Sequence, residues 1–226
     1  MHKHIAPNSK GRDFVVGDIH GAYDLLIEEM QRNGFDKDKD RLFSVGDIID
    51  RGPDSEKCLT LLNEPWFQMV RGNHEQMLID ACKNGEGYDW WNSYGAWSKW
   101  IDLSEIKLWA NKFSELPISL TLEVGQYSVG ICHAEPDGQS WMRSRENPRS
   151  ESVMLWGRRV LRGESNYDVE GVDITIHGHT PLESPKWVAN RYFLDTGAWD
   201  TGKLTFRNIA DICSEFMLAK DVFGRS

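Results

Sequence analysis

The chain has 226 residues, 40% of them hydrophobic and 27% charged, with a formal net charge of −9. That is ample chain for a sizeable core in an ordinary globular composition, and the acidic balance argues against nucleic acid or an anionic membrane as an electrostatic partner. An anionic substrate would need positive charge concentrated locally, from arginines or metal ions.

Nothing at the N-terminus has the apolar core of a signal peptide, and no apolar run approaches the ~20 residues that span a bilayer. The four cysteines, Cys58, Cys82, Cys132 and Cys213, share no metal-ligand spacing and read as buried thiols of a reducing compartment. A soluble, cytoplasmic protein is expected.

Residues 1–11, with His2 and His4, are polar and predict a flexible arm. Residues 14–17 predict a buried strand, and Leu25, Leu26, Ile27 and Met30 an apolar helical stripe that stops near Asn33-Gly34. A strand follows at 42–45, then a helix opened by Gly52-Pro53, then a strand at 66–70. This alternation predicts a parallel sheet with right-handed crossovers, in which sites form at the carboxyl ends of strands.

Residues 76–115 predict a helical insertion. A helix runs to Lys83, Gly85-Glu86-Gly87 breaks it, and Trp90, Tyr94, Trp97 and Ile101 then fall at helical spacing. Ile106, Trp109, Ala110 and Phe113 repeat that spacing after a Ser104 cap. A ligand-stacking platform is one reading of the tryptophans; packing is the preferred one. An alternating strand over 118–124 turns through Gly125-Gln126 into a strand over 127–132. An arginine-rich loop over 141–163 includes a helix after Ser152. Strands are expected at 174–176 and 203–206, with a hairpin about Ala189-Asn190 between them. Without repeats or linkers, one domain over 1–226 is the economical description.

The chemistry gathers where apolar runs end. Val15-Val16-Gly17-Asp18-Ile19-His20-Gly21 places a carboxylate and an imidazole just past a strand. Gly46-Asp47 repeats the context, and Asn73, His133 and His179 end further apolar runs, with His177 a further candidate. Five of the seven histidines lie at such ends, which points to one site built from several strands. Oxygen and imidazole donors together suit manganese, iron or zinc rather than calcium. His74, beside Asn73, is placed to give a proton to a leaving group, and Asp50 can fix its tautomer. Arg51 offers a bidentate fork for phosphate oxygens. Two decoys fail. His74-Glu75 opens like a zincin helix, but Leu78 stands where the second histidine belongs. Asp195-Thr196-Gly197 has no second copy to form an aspartic-protease pair.

Gly17-Asp18-Ile19-His20-Gly21, Gly46-Asp47-Ile48-Ile49-Asp50-Arg51-Gly52 and Gly72-Asn73-His74-Glu75, in that order, resemble the three signature motifs of the PPP-type metallophosphatases. His133-Ala134 and His177-Gly178-His179-Thr180-Pro181 extend the likeness, which is strongest toward the bacteriophage lambda type and its bacterial relatives. The resemblance implies an α/β fold, a calcineurin-like metallophosphoesterase β-sandwich flanked by helices. It implies two divalent ions, manganese first, with iron–zinc, nickel or cobalt as alternatives. Asp18, His20 and Asp47 would hold one ion, and Asp47, Asn73, His133 and His179 the other. His74 would be the general acid paired with Asp50. Arg51, Asn73 and Arg158 would bind substrate phosphate, with Arg159 a competitor of Arg158 and His177 a supporting residue. The implied activity is hydrolysis of phosphoserine, phosphothreonine or phosphotyrosine in proteins by a metal-activated hydroxide. A symmetrical bis(5'-nucleosyl)-tetraphosphatase is the rival, although such enzymes typically read Gly-Asn-His-Asp and are longer. A third reading, an inactive phosphate- or metal-binding module, sits poorly with a complete ligand set. Oligomeric state and physiological substrate are left open.

Overall fold

Residues 2–84 and 88–223 are described by the computed structural model. After His2–Ile5 (β1) come the alternating units: Asp13–Val16 (β2), Tyr23–Arg32 (α1), Arg41–Ser44 (β3), Ser55–Thr60 (α2) and Phe67–Met69 (β4). The insertion is Asn73–Asn84 (α3), Tyr88–Tyr94 (α4), a 3-10 turn Ala96–Trp100 and Leu103–Ser114 (α5). The hairpin Ser119–Val124 (β5) and Tyr127–Cys132 (β6) leads to Trp141–Glu146 (α6) and Glu151–Trp156 (α7). Ile174–His177 (β7), Lys186–Val188 (β8), Arg191–Phe193 (β9), Ala198–Thr201 (α8), Phe206–Asn208 (β10) and Ile209–Phe223 (α9) complete the order.

The strands form two sheets, β10-β2-β3-β4 and β1-β5-β6-β7-β9-β8. In the first, β2, β3 and β4 run parallel and β10 is antiparallel to β2. Successive strand side chains point to opposite faces, so these short apolar runs serve two cores. Val15 and Phe43 face the second sheet and pack with Leu120, Leu122, Ile131 and Ile176. Phe14, Val16 and Leu42 face outward and pack with Leu26, Leu59 and Leu78 of the helices. On the far side, Ile118 and Cys132 meet Trp141, Met154 and Leu155 of α6 and α7. The result is a helix–sheet–sheet–helix sandwich.

Several local expectations are corrected. Polar composition suggested a flexible N-terminal arm, yet β1 pairs in parallel with β5 along its whole length. His2 holds it there: Nδ1 lies 2.8 Å from the Ser119 hydroxyl and Nε2 lies 3.2 Å from the Thr121 hydroxyl. Asp102, not Ser104, caps α5, its carboxylate accepting the Ser104 amide at 2.8 Å. The helix expected from Gly52-Pro53 starts at Ser55, and the last strand lies at Phe206–Asn208, beyond most of the predicted 203–206 run. The tryptophan register also differs: Trp91 and Trp97 are buried while Tyr94 is exposed. The side chain of Trp90 and the Gly85-Glu86-Gly87 break lie outside the described residues. All four cysteines are free thiols, three buried and Cys82 half-buried, and burial pushes Cys58 and Cys213 up to about 12.

Burial, and then the nearby Arg145 charge, lower His2 from 6.5 to about 4. A histidine held neutral in the folded chain stabilises it above pH 6.5 and loses that contribution as pH falls towards 4. The thermal midpoint of the wild-type chain should therefore exceed that of His2→Gln at pH 7, with the gap closing by about pH 4. A gap constant across that range would separate the β1 anchor from His2 protonation.

Candidate metal centre

Five loops leaving the carboxyl ends of β2, β3, β4, β6 and β7 converge. They bring Asp18, His20, Asp47, Asn73, His133 and His179 together, all buried. Asn73 Oδ1 lies 2.8 Å from both His133 Nε2 and His179 Nδ1, and those two nitrogens are 3.2 Å apart. Asp47 Oδ2 lies 3.4 Å from His133 Nε2 and 3.6 Å from His20 Nε2, so it belongs to both halves. Asp18 Oδ2 is 4.0 Å from His20 Nε2. Among the described residues, two donor groups fall within 4.8 Å: Asp47 with His133 and His179, and His20 with Asp47 and His74.

The donor chemistry fits cations. His20 Nδ1 is 2.8 Å from the Ile49 carbonyl and His133 Nδ1 is 2.8 Å from the Val45 carbonyl. A carbonyl can only accept, so Nδ1 carries the proton and the Nε2 lone pair turns inward, the usual outer-shell device of metal-binding histidines. Burial lowers His20 to about 3 and, with the charge of His133, lowers His179 to about 3. Burial opposes charge on Asp47 and His133 as well. Even so, His133 and His74 hold the Asp47 carboxyl well below the usual range, and Asp47 and Asp18 pull His133 up to about 10. Burial and the neighbouring Asp195 push Asp18 up. A divalent cation would balance this buried negative charge, favouring the Asp18 carboxylate and the free Nε2 lone pair of His133.

The backbone is bent to make this convergence. Six non-glycine residues among those described have positive φ, and five are site candidates: His20, Asp47, Asp50, Arg51 and His179. Such strain gathers where surrounding structure over-determines a functional geometry. Gly72 is needed for a different reason: a Cβ there would run into Asp47 Oδ1 and the Asp47 amide.

Beside the donor groups, His74 Nδ1 bonds Asp50 Oδ2 at 2.7 Å, and His74 Nε2 lies 3.3 Å from Arg51 Nη2. Burial disfavours the imidazolium, but Asp47 and Asp50 outweigh it and raise the His74 pKa above its ordinary value. The Arg51 guanidinium stacks 5.5 Å from the ring of Trp199. Arg158 Nε lies 3.1 Å from His179 Nε2, whereas Arg159 turns to Glu164 at 3.6 Å. Of the two arginines, only Arg158 borders the centre. His177 does not reach it: Nδ1 lies 3.1 Å from the Cys132 carbonyl and Nε2 lies 2.8 Å from the Thr175 hydroxyl.

The model of the calcineurin-like phosphoesterases matches residues 14–183, the stretch that carries all six donors. The chain belongs to the calcineurin-like phosphoesterase family. It is 37% identical over 203 residues to "Serine/threonine-protein phosphatase 2" of Escherichia coli K12, covering 87% of this chain and 92% of that one. Its likeness to the symmetrical bis(5'-nucleosyl)-tetraphosphatase of Dechloromonas aromatica is 39% over 74 residues, 32% of this chain and 27% of that one. A crystal structure of a suggested diadenosine tetraphosphatase shares the fold at a TM-score of 0.67 and 21% identity, covering 91% of each chain.

Two carboxylates of this phosphoesterase centre escaped the sequence reading. Glu75, fully buried, accepts the amides of Asp47 and Gly72 at 2.8 Å and of Ile48 at 2.9 Å. It thus ties the second motif to the third. Its sequence signal is its place at the end of the Gly72-Asn73-His74-Glu75 motif, which does not disclose that it accepts amides of the second motif. Asp195, in the triplet set aside as a protease decoy, is buried beside Asp18 and accepts the Gly197 amide at 2.8 Å.

Proposed function

We propose that this phosphoesterase is a metal-dependent protein phosphatase acting on phosphoserine and phosphothreonine, with phosphotyrosine a second substrate class, in the cytoplasm. The observation that carries it is the pair of donor groups sharing Asp47, one of them including His74 with Asp50 behind it, and bordered by Arg51 and Arg158. Relatives support the protein substrate: the match to the protein phosphatase spans most of both chains, and that to the tetraphosphatase about a third of this one.

Asp18, His20 and Asp47 would hold one divalent ion and Asp47, Asn73, His133 and His179 a second, manganese being the first choice. When bound, such ions polarise phosphoryl oxygens and lower the pKa of water. Arg51 and Arg158 are placed to take the remaining phosphate oxygens through their forked donors. Asp50 fixes the proton of His74 on Nδ1 in the neutral ring, and in the imidazolium Nε2 can pass a proton to the departing oxygen.

The test is hydrolysis by chelator-stripped protein, with manganese restored, of a phosphoserine peptide, a phosphotyrosine peptide and diadenosine tetraphosphate in parallel. Manganese-dependent release of phosphate from the peptides is expected. Turnover of the dinucleotide alone would replace the phosphatase with the nucleotide hydrolase.

A further inference from the structure

We infer that the tryptophan-bearing turn of the helical insertion, Trp91 to Trp97, is the positioning element of the His74–Asp50 pair. This rests on the general-acid reading of His74. Asp50 is fully buried and three donors converge on its carboxylate. Oδ2 accepts from His74 Nδ1 at 2.7 Å and from Trp91 Nε1 at 3.1 Å, while Oδ1 accepts from Trp97 Nε1 at 2.7 Å. An indole N–H is a donor only. Rotating the carboxylate away from His74 would therefore also strand an indole donor in the interior, which folded proteins avoid. The two indoles brace each other edge to face, 5.9 Å apart at 85°.

The same turn holds the backbone behind the arginine. Asp50 and Arg51 both adopt left-handed conformations, with φ of 70° and 68°. The Arg51 amide bonds the Tyr94 carbonyl at 2.9 Å, and the Asp50 amide bonds the Ser55 hydroxyl at 2.9 Å. Gly95 allows the approach, since a Cβ there would sit 2.5 Å from Asp50 Oδ1 and 3.1 Å from Trp97 Nε1.

Packing alone would not aim two indole N–H groups at one carboxylate. Trp109 of the same insertion makes the contrast, burying its Nε1 with no hydrogen-bond partner. The insertion thus acts through Asp50 on the orientation and tautomer of His74, and through Tyr94 on the direction of Arg51.

The experiment compares Trp91→Phe and Trp97→Phe, in the wild-type and Asp50→Asn backgrounds, with His74→Asn and a Trp109→Phe control. Manganese content is measured alongside kcat and KM for a phosphoserine peptide and for p-nitrophenyl phosphate, whose leaving group needs little protonation. Each clamp variant should lose roughly ten- to a hundredfold in kcat on the peptide, as outer-shell changes typically do. It should lose under about threefold on the nitrophenyl ester, with KM and metal unchanged, and the Asp50→Asn background should absorb the loss. Trp109→Phe should leave both rates alone. Equal losses on both substrates, loss of metal, or additivity with Asp50→Asn would overturn the positioning role. If His74→Asn itself slows both substrates equally, the general-acid reading falls and this inference with it. If His74→Asn and Asp50→Asn discriminate and the tryptophan variants do not, the clamp alone is wrong. Should a phenylalanine variant not fold, nitrogen-15 spectra of Asp50→Asn decide the point. At least one of the Trp91 and Trp97 indole resonances should move while that of Trp109 stays, and no movement of either would overturn the clamp.

Discussion

Asp47→Asn is expected to fold, to bind less than its full complement of metal, and to lose at least about a thousandfold in kcat on any phosphomonoester, equivalent to ~4 kcal/mol of transition-state stabilisation. The reason is its shared position. Its Oδ2 faces His133 Nε2 at 3.4 Å and His20 Nε2 at 3.6 Å, so one carboxylate serves both donor groups. Its Oδ1 meanwhile accepts the His74 amide at 2.9 Å, tying the donor groups to the first turn of α3, which bears the proposed acid. Asparagine preserves volume but removes the charge that would balance two cations, and it offers an amide nitrogen where a lone pair is required. Elemental analysis of the purified variant, with phosphate release at saturating manganese, checks this. Full metal content with near-normal turnover would mean that Asp47 does not bridge.

His74→Asn should behave differently. None of the three contacts among Asn73, His133 and His179 passes through the His74 ring, and Asp18, His20 and Asp47 remain for the other ion, so metal content should hold. What disappears is a proton donor whose Nδ1 is committed to Asp50 and whose Nε2 lies at the centre. A serine alkoxide is a poor leaving group and needs that proton, so kcat on a phosphoserine peptide should drop by roughly 10²–10⁴-fold. A nitrophenolate departs largely unaided, so the loss on p-nitrophenyl phosphate should stay within about tenfold. The measurement is a plot of kcat against leaving-group pKa for both proteins. Parallel lines would remove His74 from the acid role and leave it as a site-shaping residue.

The residues that converge on the centre were legible because each needed only local information. Asp18, His20, Asp47, Asn73, His133 and His179 each follow an apolar run, and a parallel strand delivers whatever follows it to the same sheet edge. Glu75 and Asp195 were not, because their roles are to accept backbone amides or to shift a neighbour across the site, and no spacing records that. Arg158 and Arg159 are adjacent in sequence and chemically identical. Only the bend after α7, which sends one towards His179 and the other towards Glu164, tells them apart.

By itself, then, the sequence determined the strand–helix alternation, the β5–β6 hairpin and the candidate metal donors, since periodicity and motif spacing are local properties of the chain. Tertiary structure decided the rest. It turned a polar N-terminal segment into β1, because the edge of β5 supplied backbone partners that His2–Ile5 could not supply for itself. It also turned Trp91 and Trp97 from plain core into donors for Asp50, 41 and 47 residues away. A helical stripe says which face is buried; only the packed fold says that a buried carboxylate waits on that face, with two indole N–H groups to satisfy it.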